Sequence, residues 1–138
     1  LVRPLGFHLD DRMVRRAGLD YWEHLDLRVV DSLDEVATAI GAGRLWWFST
    51  KARRLYTEAP FRAGDGLVFG PESRGLPGRR LAEAGEQALR IPMRAEARSL
   101  NLANAAAVGL YEAARRAGLG NSPAFAPLSS SRIRTGSA

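Results

Sequence analysis

The sequence predicts an α/β fold built around a largely parallel sheet. Three observations carry that expectation. Leu45-Trp46-Trp47-Phe48 and Leu67-Val68-Phe69 are short apolar runs, aromatic or β-branched, with the length of buried strands. Strand-like runs alternate with stretches that carry helix caps and helical spacing. The second run also breaks abruptly into Gly70-Pro71-Glu72, as a strand does when it empties into a rigid, charged loop.

In chain order, Leu1-Val2-Arg3 is a short apolar start stopped by Pro4 and Gly6. Asp10 and Asp11 fit the first turn of a helix through Met13, Val14 and Ala17, which Gly18 ends. Residues 26–30 are β-prone. Ser32 and Glu35 have the spacing of a capping box, opening a helix with Leu33, Val36, Ala37 and Ile40 before Gly41 and Gly43. After the aromatic strand, residues 49–63 are a polar, basic excursion with a short strand at Arg54-Leu55-Tyr56. Residues 77–84 suit a short helix and 87–91 a short strand. Residues 101–117 form the best helix of the chain. They are rich in Ala, place Leu102, Ala105, Ala106, Gly109, Leu110 and Ala113 on one broad face, and are closed by Gly118. Residues 120–138, with three consecutive serines, Pro123 and Pro127, read as a disordered tail.

A length of 138 residues points to one domain with a real core. No apolar run approaches the ~20 residues of a membrane span, and no signal peptide is visible in the opening Leu1-Val2-Arg3-Pro4. With no Cys there are no disulfides and no thiol chemistry. The net charge is +5, and 19 of the 20 basic residues are Arg, whose planar fork suits phosphate. Biased genomic composition produces the same count, so the charge is compatible with RNA without proving it. His8 and His24 have no partner at metal-ligand spacing, so no metal site is expected. No Gly-x-Gly-x-x-Gly follows a strand, and no Ser sits in a nucleophile elbow.

Four segments carry the chemistry. Gly70-Pro71-Glu72-Ser73-Arg74-Gly75-Leu76-Pro77 follows a strand, where parallel sheets collect ligands, and Gly70 lets a ligand approach the backbone. Ile91-Pro92-Met93 reads either as a plain edge strand or as an apolar slot with main-chain donors and acceptors, which a purine needs. In Arg98-Ser99-Leu100-Asn101-Leu102-Ala103-Asn104-Ala105 a loop enters a small-residue helix, with Ser99 and Asn101 both competent caps. Arg15-Arg16 lie beside Tyr21 and Trp22, a pairing that can grip phosphate and stack on bases or can be an ordinary helix end.

Together these segments resemble the signature loops of the SPOUT superfamily of RNA methyltransferases. The run from Pro4-Leu5-Gly6-Phe7 to Asp20-Tyr21, and the Asn101-Leu102-Ala103-Asn104-Ala105 form of the last loop, are similar to one branch. That branch comprises small homodimeric tRNA enzymes that 2′-O-methylate the wobble cytidine or uridine. The resemblance spans residues 1–119. It implies a mostly parallel sheet with helices on both faces, a C-terminal trefoil knot, a cytoplasmic enzyme, and S-adenosylmethionine as cofactor. It places the cofactor among Phe48, Gly70, Ile91, Met93, Ser99 and Leu100, with Arg15, Arg16 and Arg98 toward tRNA. The branch also carries Asn-x-Gly-x-x-x-Arg on its first loop and helix, and that Arg is usually assigned the catalytic role. Nothing in this chain matches it, so the catalytic Arg is expected upstream of Leu1, and the chain as written is expected to bind cofactor better than it methylates RNA. Two rivals are a ribosomal RNA methyltransferase of another SPOUT branch and a truncated, non-catalytic module binding cofactor or RNA.

Overall fold

A computed structural model describes residues 1–5, 26–41 and 44–119, which fall into two compact units, Leu1–Gly43 and Arg44–Ala138. The helix expected around residues 10–18, with Arg15 and Arg16, and the tail 120–138 lie outside the described residues.

In the first unit, Val2 runs parallel to Val30. The Arg3 N–H donates to the Val30 carbonyl at 2.9 Å, and the Val30 N–H donates to the Leu1 carbonyl at 2.9 Å. The β-prone stretch 26–30 is thus paired at Val30 alone, a single bridge in place of the expected strand. Helix α1, Leu33–Ile40, begins where the sequence signals it: Ser32 is extended, and its Oγ accepts from the Glu35 N–H at 3.3 Å. The Ser32 hydroxyl also lies 3.2 Å from a Glu35 carboxylate oxygen, so the two capping-box residues meet side chain to side chain. Gly41, at φ +65°, turns the chain out of the helix.

The second unit holds four strands: β1 (Leu45–Phe48), β2 (Arg54–Leu55), β3 (Gly66–Phe69) and β4 (Ala88–Arg90). All pair in parallel, in the order β2-β4-β1-β3. Trp47 is opposite Val68 on one side of β1 and opposite Ala88 on the other. Helix α2 (Gly78–Ala84) precedes β4, and helix α3 (Leu102–Arg116) follows it. The strand expected at 87–91 is shorter than its pattern suggested. Gln87 closes a 3-10 turn, Gly85–Gln87, and Ile91 lies past the last ladder position.

Trp46, Phe48, Ala59, Phe61 and Leu89 form the buried core. The excursion after β1 is therefore not simply polar: it returns Ala59 and Phe61 to the interior, with the Phe61 ring edge-on to Trp46 at 5.4 Å. Phe48 and Phe69 stack at 4.6 Å, and α3 lies against this pair through Gly109. A Cβ on Gly109 would come 3.0 Å from the Phe48 ring and 3.1 Å from the Phe69 ring, so a residue with one would push the rings or the helix back by a few tenths of an ångström. Leu110 corrects the expected helix face. It is 59% exposed, and Val108 and Tyr111 are exposed as well. The buried face is narrower, centred on Gly109, because 100° per residue carries position 110 off the stripe through 102, 105, 106, 109 and 113.

Asp65 closes the amino-terminal end of the sheet. Its side chain is 6% exposed and accepts from the Arg44 guanidinium at 2.9 Å, the Trp46 indole N–H at 2.8 Å and the Arg62 backbone N–H at 2.9 Å. Burial pushes its carboxyl pKa up, but the hydrogen bonds from Trp46, Arg44 and the backbone outweigh that and leave it below the ordinary value.

Candidate functional site

β4, β1 and β3 are neighbours, so their carboxyl ends, Arg90, Phe48 and Phe69, open side by side. In a parallel sheet this edge is where loops gather around a ligand. A pocket of about 310 Å³ lies there, at the small end of the usual range for ligand sites.

The three loops meet in it. Phe48 is the last residue of β1, Gly70 the first after β3, and Ile91 the first after β4. Met93 continues the third loop, and Arg98, Ser99 and Leu100 reach the same pocket just ahead of α3. All six residues expected around a cofactor, and Arg98, thus line one cavity. Arg15 and Arg16 lie outside the described residues.

The second loop is folded tightly on itself. The Gly75 N–H donates to the Pro71 carbonyl at 2.8 Å, and Gly75 has φ +66°. A Cβ on Gly70 would sit 2.4 Å from the Gly75 carbonyl carbon and 2.4 Å from the Leu76 nitrogen. The loop crosses directly over Gly70, and no other side chain fits without moving backbone. Leu76 anchors the far end of the loop in the interior.

The third loop enters α3 through Asn101, which decides between the two possible caps: Asn101 Oδ1 accepts from the Ala103 N–H at 3.0 Å and the Asn104 N–H at 3.3 Å. Ser99 is left facing the pocket. From the second loop, Glu72 Oε1 accepts from the Leu102 N–H at 3.1 Å and from Asn101 Nδ2 at 3.4 Å. A carboxylate at a helix amino terminus is favoured by the helix dipole.

The lining is amphiphilic. Phe48, Phe69, Ile91 and Met93 offer flat and adaptable apolar surface. Lys51, Arg74 and Arg98 bring positive charge, and among the described residues none of the three forms an ion pair with a carboxylate. Glu72 is the acidic residue of the lining, and its carboxylate is engaged by α3. An apolar, partly aromatic slot beside unneutralised cations accepts a ligand with a flat ring and an anionic group. Among the described residues, no cluster of His, Asp or Glu is placed to hold a metal ion.

Lys51, Glu72 and Arg74 were not singled out as site residues by sequence reasoning. Glu72 and Arg74 belong to the loop segment that sequence reasoning did mark, while Lys51 follows β1 and comes to the site through the strand order.

Comparison with known proteins agrees with this geometry. A tRNA (cytidine(34)-2′-O)-methyltransferase of Aeromonas hydrophila is 45% identical over 123 residues, covering 88% of this chain and 79% of the relative. A solved structure described as giving insights into the 2-OH methylation of C/U34 on tRNA superposes with a TM-score of 0.75 at 50% identity, covering 84% of this chain and 76% of the other. An AdoMet-bound rRNA methyltransferase from Sinorhizobium meliloti superposes with a TM-score of 0.61 at 27% identity, covering 72% of this chain and 39% of the other. The SpoU rRNA Methylase family matches residues 1–111, and the chain belongs to that family.

Proposed function

We propose that the chain is an S-adenosylmethionine-dependent tRNA methyltransferase that methylates the ribose 2′-oxygen of the wobble cytidine or uridine. The observation that carries this reading is the convergence of three separate strand-end loops on one amphiphilic pocket. The relatives support the choice of substrate, since those named for cytidine 34 of tRNA match most of this chain and most of their own length.

The pocket suits the cofactor. Ile91, Met93 and Phe48 would offer apolar contact, and the loop's main chain would offer polar groups, to an adenine, while Gly70 would keep the backbone open to close approach. Arg74, which pairs with no carboxylate among the described residues, suits the carboxylate of the methionine end. When bound, the cofactor supplies a methyl group on a sulfonium. The task of this chain's residues is positioning: the loops fix one reactant and exclude water so that the ribose hydroxyl arrives in line. Arg98, with Arg15 and Arg16, is assigned to RNA phosphates. The finer reading includes a C-terminal trefoil knot, a homodimer joined through the outer surface of α3, and a cytoplasmic setting. No helix of the described residues is long and apolar enough to cross a membrane.

Two measurements test the reading. Calorimetry with S-adenosylmethionine and with its demethylated product should show binding by the folded chain, and a chain that gives no heat at high ligand concentration refutes the cofactor assignment. Nucleoside mass spectrometry of tRNA treated with cofactor and the chain extended upstream through an Asn-x-Gly-x-x-x-Arg segment should find the new 2′-O-methyl group at position 34, and the chain without that segment should give less of it. A methyl group placed in ribosomal RNA instead would favour the other branch.

A further inference from the structure

Beside the candidate pocket lies a second, open groove of about 890 Å³ between the segment after β1 and helix α2. Lys51 lines both cavities and so joins them. It is also the single Lys in a chain with 19 Arg, a compact and mobile charge where the rest of the chain uses rigid forks.

The fold uses the neighbouring cations in different ways. Arg54 is committed to structure: its guanidinium donates to the Glu86 carbonyl at 3.0 Å and the Glu58 carbonyl at 2.9 Å, and it lies over the Trp46 ring. Arg90 donates to the Arg53 carbonyl at 3.2 Å and so fixes the backbone of the segment. Arg53 itself is exposed, and among the described residues neither it nor Lys51 pairs with a carboxylate. Two arginines hold the segment still, and the two cations it presents are left unsatisfied.

We propose that this groove carries the sugar-phosphate backbone of the RNA strand next to the methylated nucleotide, with Arg53 and Lys51 on its phosphates. The proposal rests on the function proposed above. A strand that brings one ribose to the mouth of the cofactor pocket must continue its backbone past the rim, and the groove that shares Lys51 is a continuous exit. Charge complementarity selects the occupant, since repeated phosphates match spaced, unpaired cations. The contact positions the strand and reads no base. Glu58 and Glu86 also border the groove and oppose the same field, so their removal must act in the opposite sense.

The test is RNA binding as a function of salt, using an anticodon stem-loop and the variants Arg53→Gln and Glu86→Gln, with cofactor affinity measured in parallel. Arg53 borders the second groove and not the pocket, and the Glu86 side chain is 93% exposed, so neither substitution should change cofactor binding. Arg53→Gln should weaken RNA binding several-fold at low salt and reduce the slope of log K against log salt by about 0.7–0.9, the loss of one phosphate contact. Glu86→Gln should strengthen binding. Opposite signs from two neighbouring changes cannot come from damage to the fold. An Arg53→Gln variant with the parent's affinity and slope, or two variants that shift in the same direction, overturns the groove as the RNA path while leaving the proposed function standing. A parent chain that binds cofactor but no RNA at any salt concentration overturns both.

Discussion

Glu72 and Asn101, 29 residues apart on different loops, divide between them the free N–H groups in the first turn of α3. Glu72 takes Leu102, and Asn101 takes Ala103 and Asn104. Their own contact, Asn101 Nδ2 donating to Glu72, orients the amide so that Oδ1 faces the helix. The cap is a joint structure, and it ties together two loops that both line the pocket. Asn101→Ala should destabilise the protein by about 1 kcal/mol, the usual effect of removing a cap. Combined with Glu72→Ala it should give a non-additive result, with a coupling of about 0.5 kcal/mol or more in urea unfolding. Strict additivity would mean that the two residues act separately.

Gly70→Ala should abolish or greatly weaken cofactor binding while the protein stays folded. The new Cβ meets backbone at 2.4 Å, and backbone cannot rotate away as a side-chain tip can. Relief requires the 70–76 loop to lift. Overpacking of this kind costs about 1–3 kcal/mol, equivalent to roughly 5- to 150-fold in affinity if the loop bears the strain. Calorimetry on the variant, beside circular dichroism to verify folding, checks it. Unchanged affinity would show that the loop does not shape the bound state.

Asp65 links stability to pH. Its folded pKa lies below the unfolded one, so its contribution is fully present above the unfolded carboxylate value of about 3.9 and is lost as pH falls through the folded value. Asp65→Ala leaves the Trp46 indole without its acceptor and the Arg44 guanidinium with only the Pro60 carbonyl, and should cost roughly 3 kcal/mol at neutral pH. The difference between parent and variant should shrink as pH falls toward about 3. A pH-independent difference in urea midpoints would assign the effect to packing alone.

The exposed apolar residues of α3 set the expected assembly. Leu110 and Tyr111, 59% and 77% exposed, are large apolar side chains that a partner can cover. The protein should sediment as a homodimer at micromolar concentration, and Tyr111→Glu should shift it toward monomer. A parent that is monomeric and well folded counts against the assignment.

Much of this arrangement was legible in the residues, and the part that was not has physical reasons. The aromatic run 45–48 and the apolar run 67–69 have no competing interpretation, and Ser32 and Asn101 announce helix starts through the same local hydrogen bonds that the fold uses. The strand at 87–91 was overextended because apolarity persists through Ile91, while the ladder ends where the partner strands do. Phe61 was missed as core because its neighbours are charged; its burial comes from the Trp46 ring, a contact between segments 15 positions apart that no local pattern encodes. Leu110 was assigned inward by counting apolar residues, although the close approach at Gly109 leaves room for only a narrow face. The six pocket residues came from resemblance, and no periodicity contains them. Lys51 escaped because its importance is topological: it depends on β1 lying between β3 and β4.

The Asp65 clasp and the pocket occupy opposite ends of the same short strands, separated along β1 by roughly 10 Å at the usual rise per residue. Changes that far apart with no common partner tend to act independently. The amino-terminal edge is therefore a place where the scaffold can be hardened for engineering. Sturdier variants made around Arg44 and Asp65 should tolerate riskier remodelling of the loops at the other edge, and so widen the range of nucleosides that selection can explore on this framework.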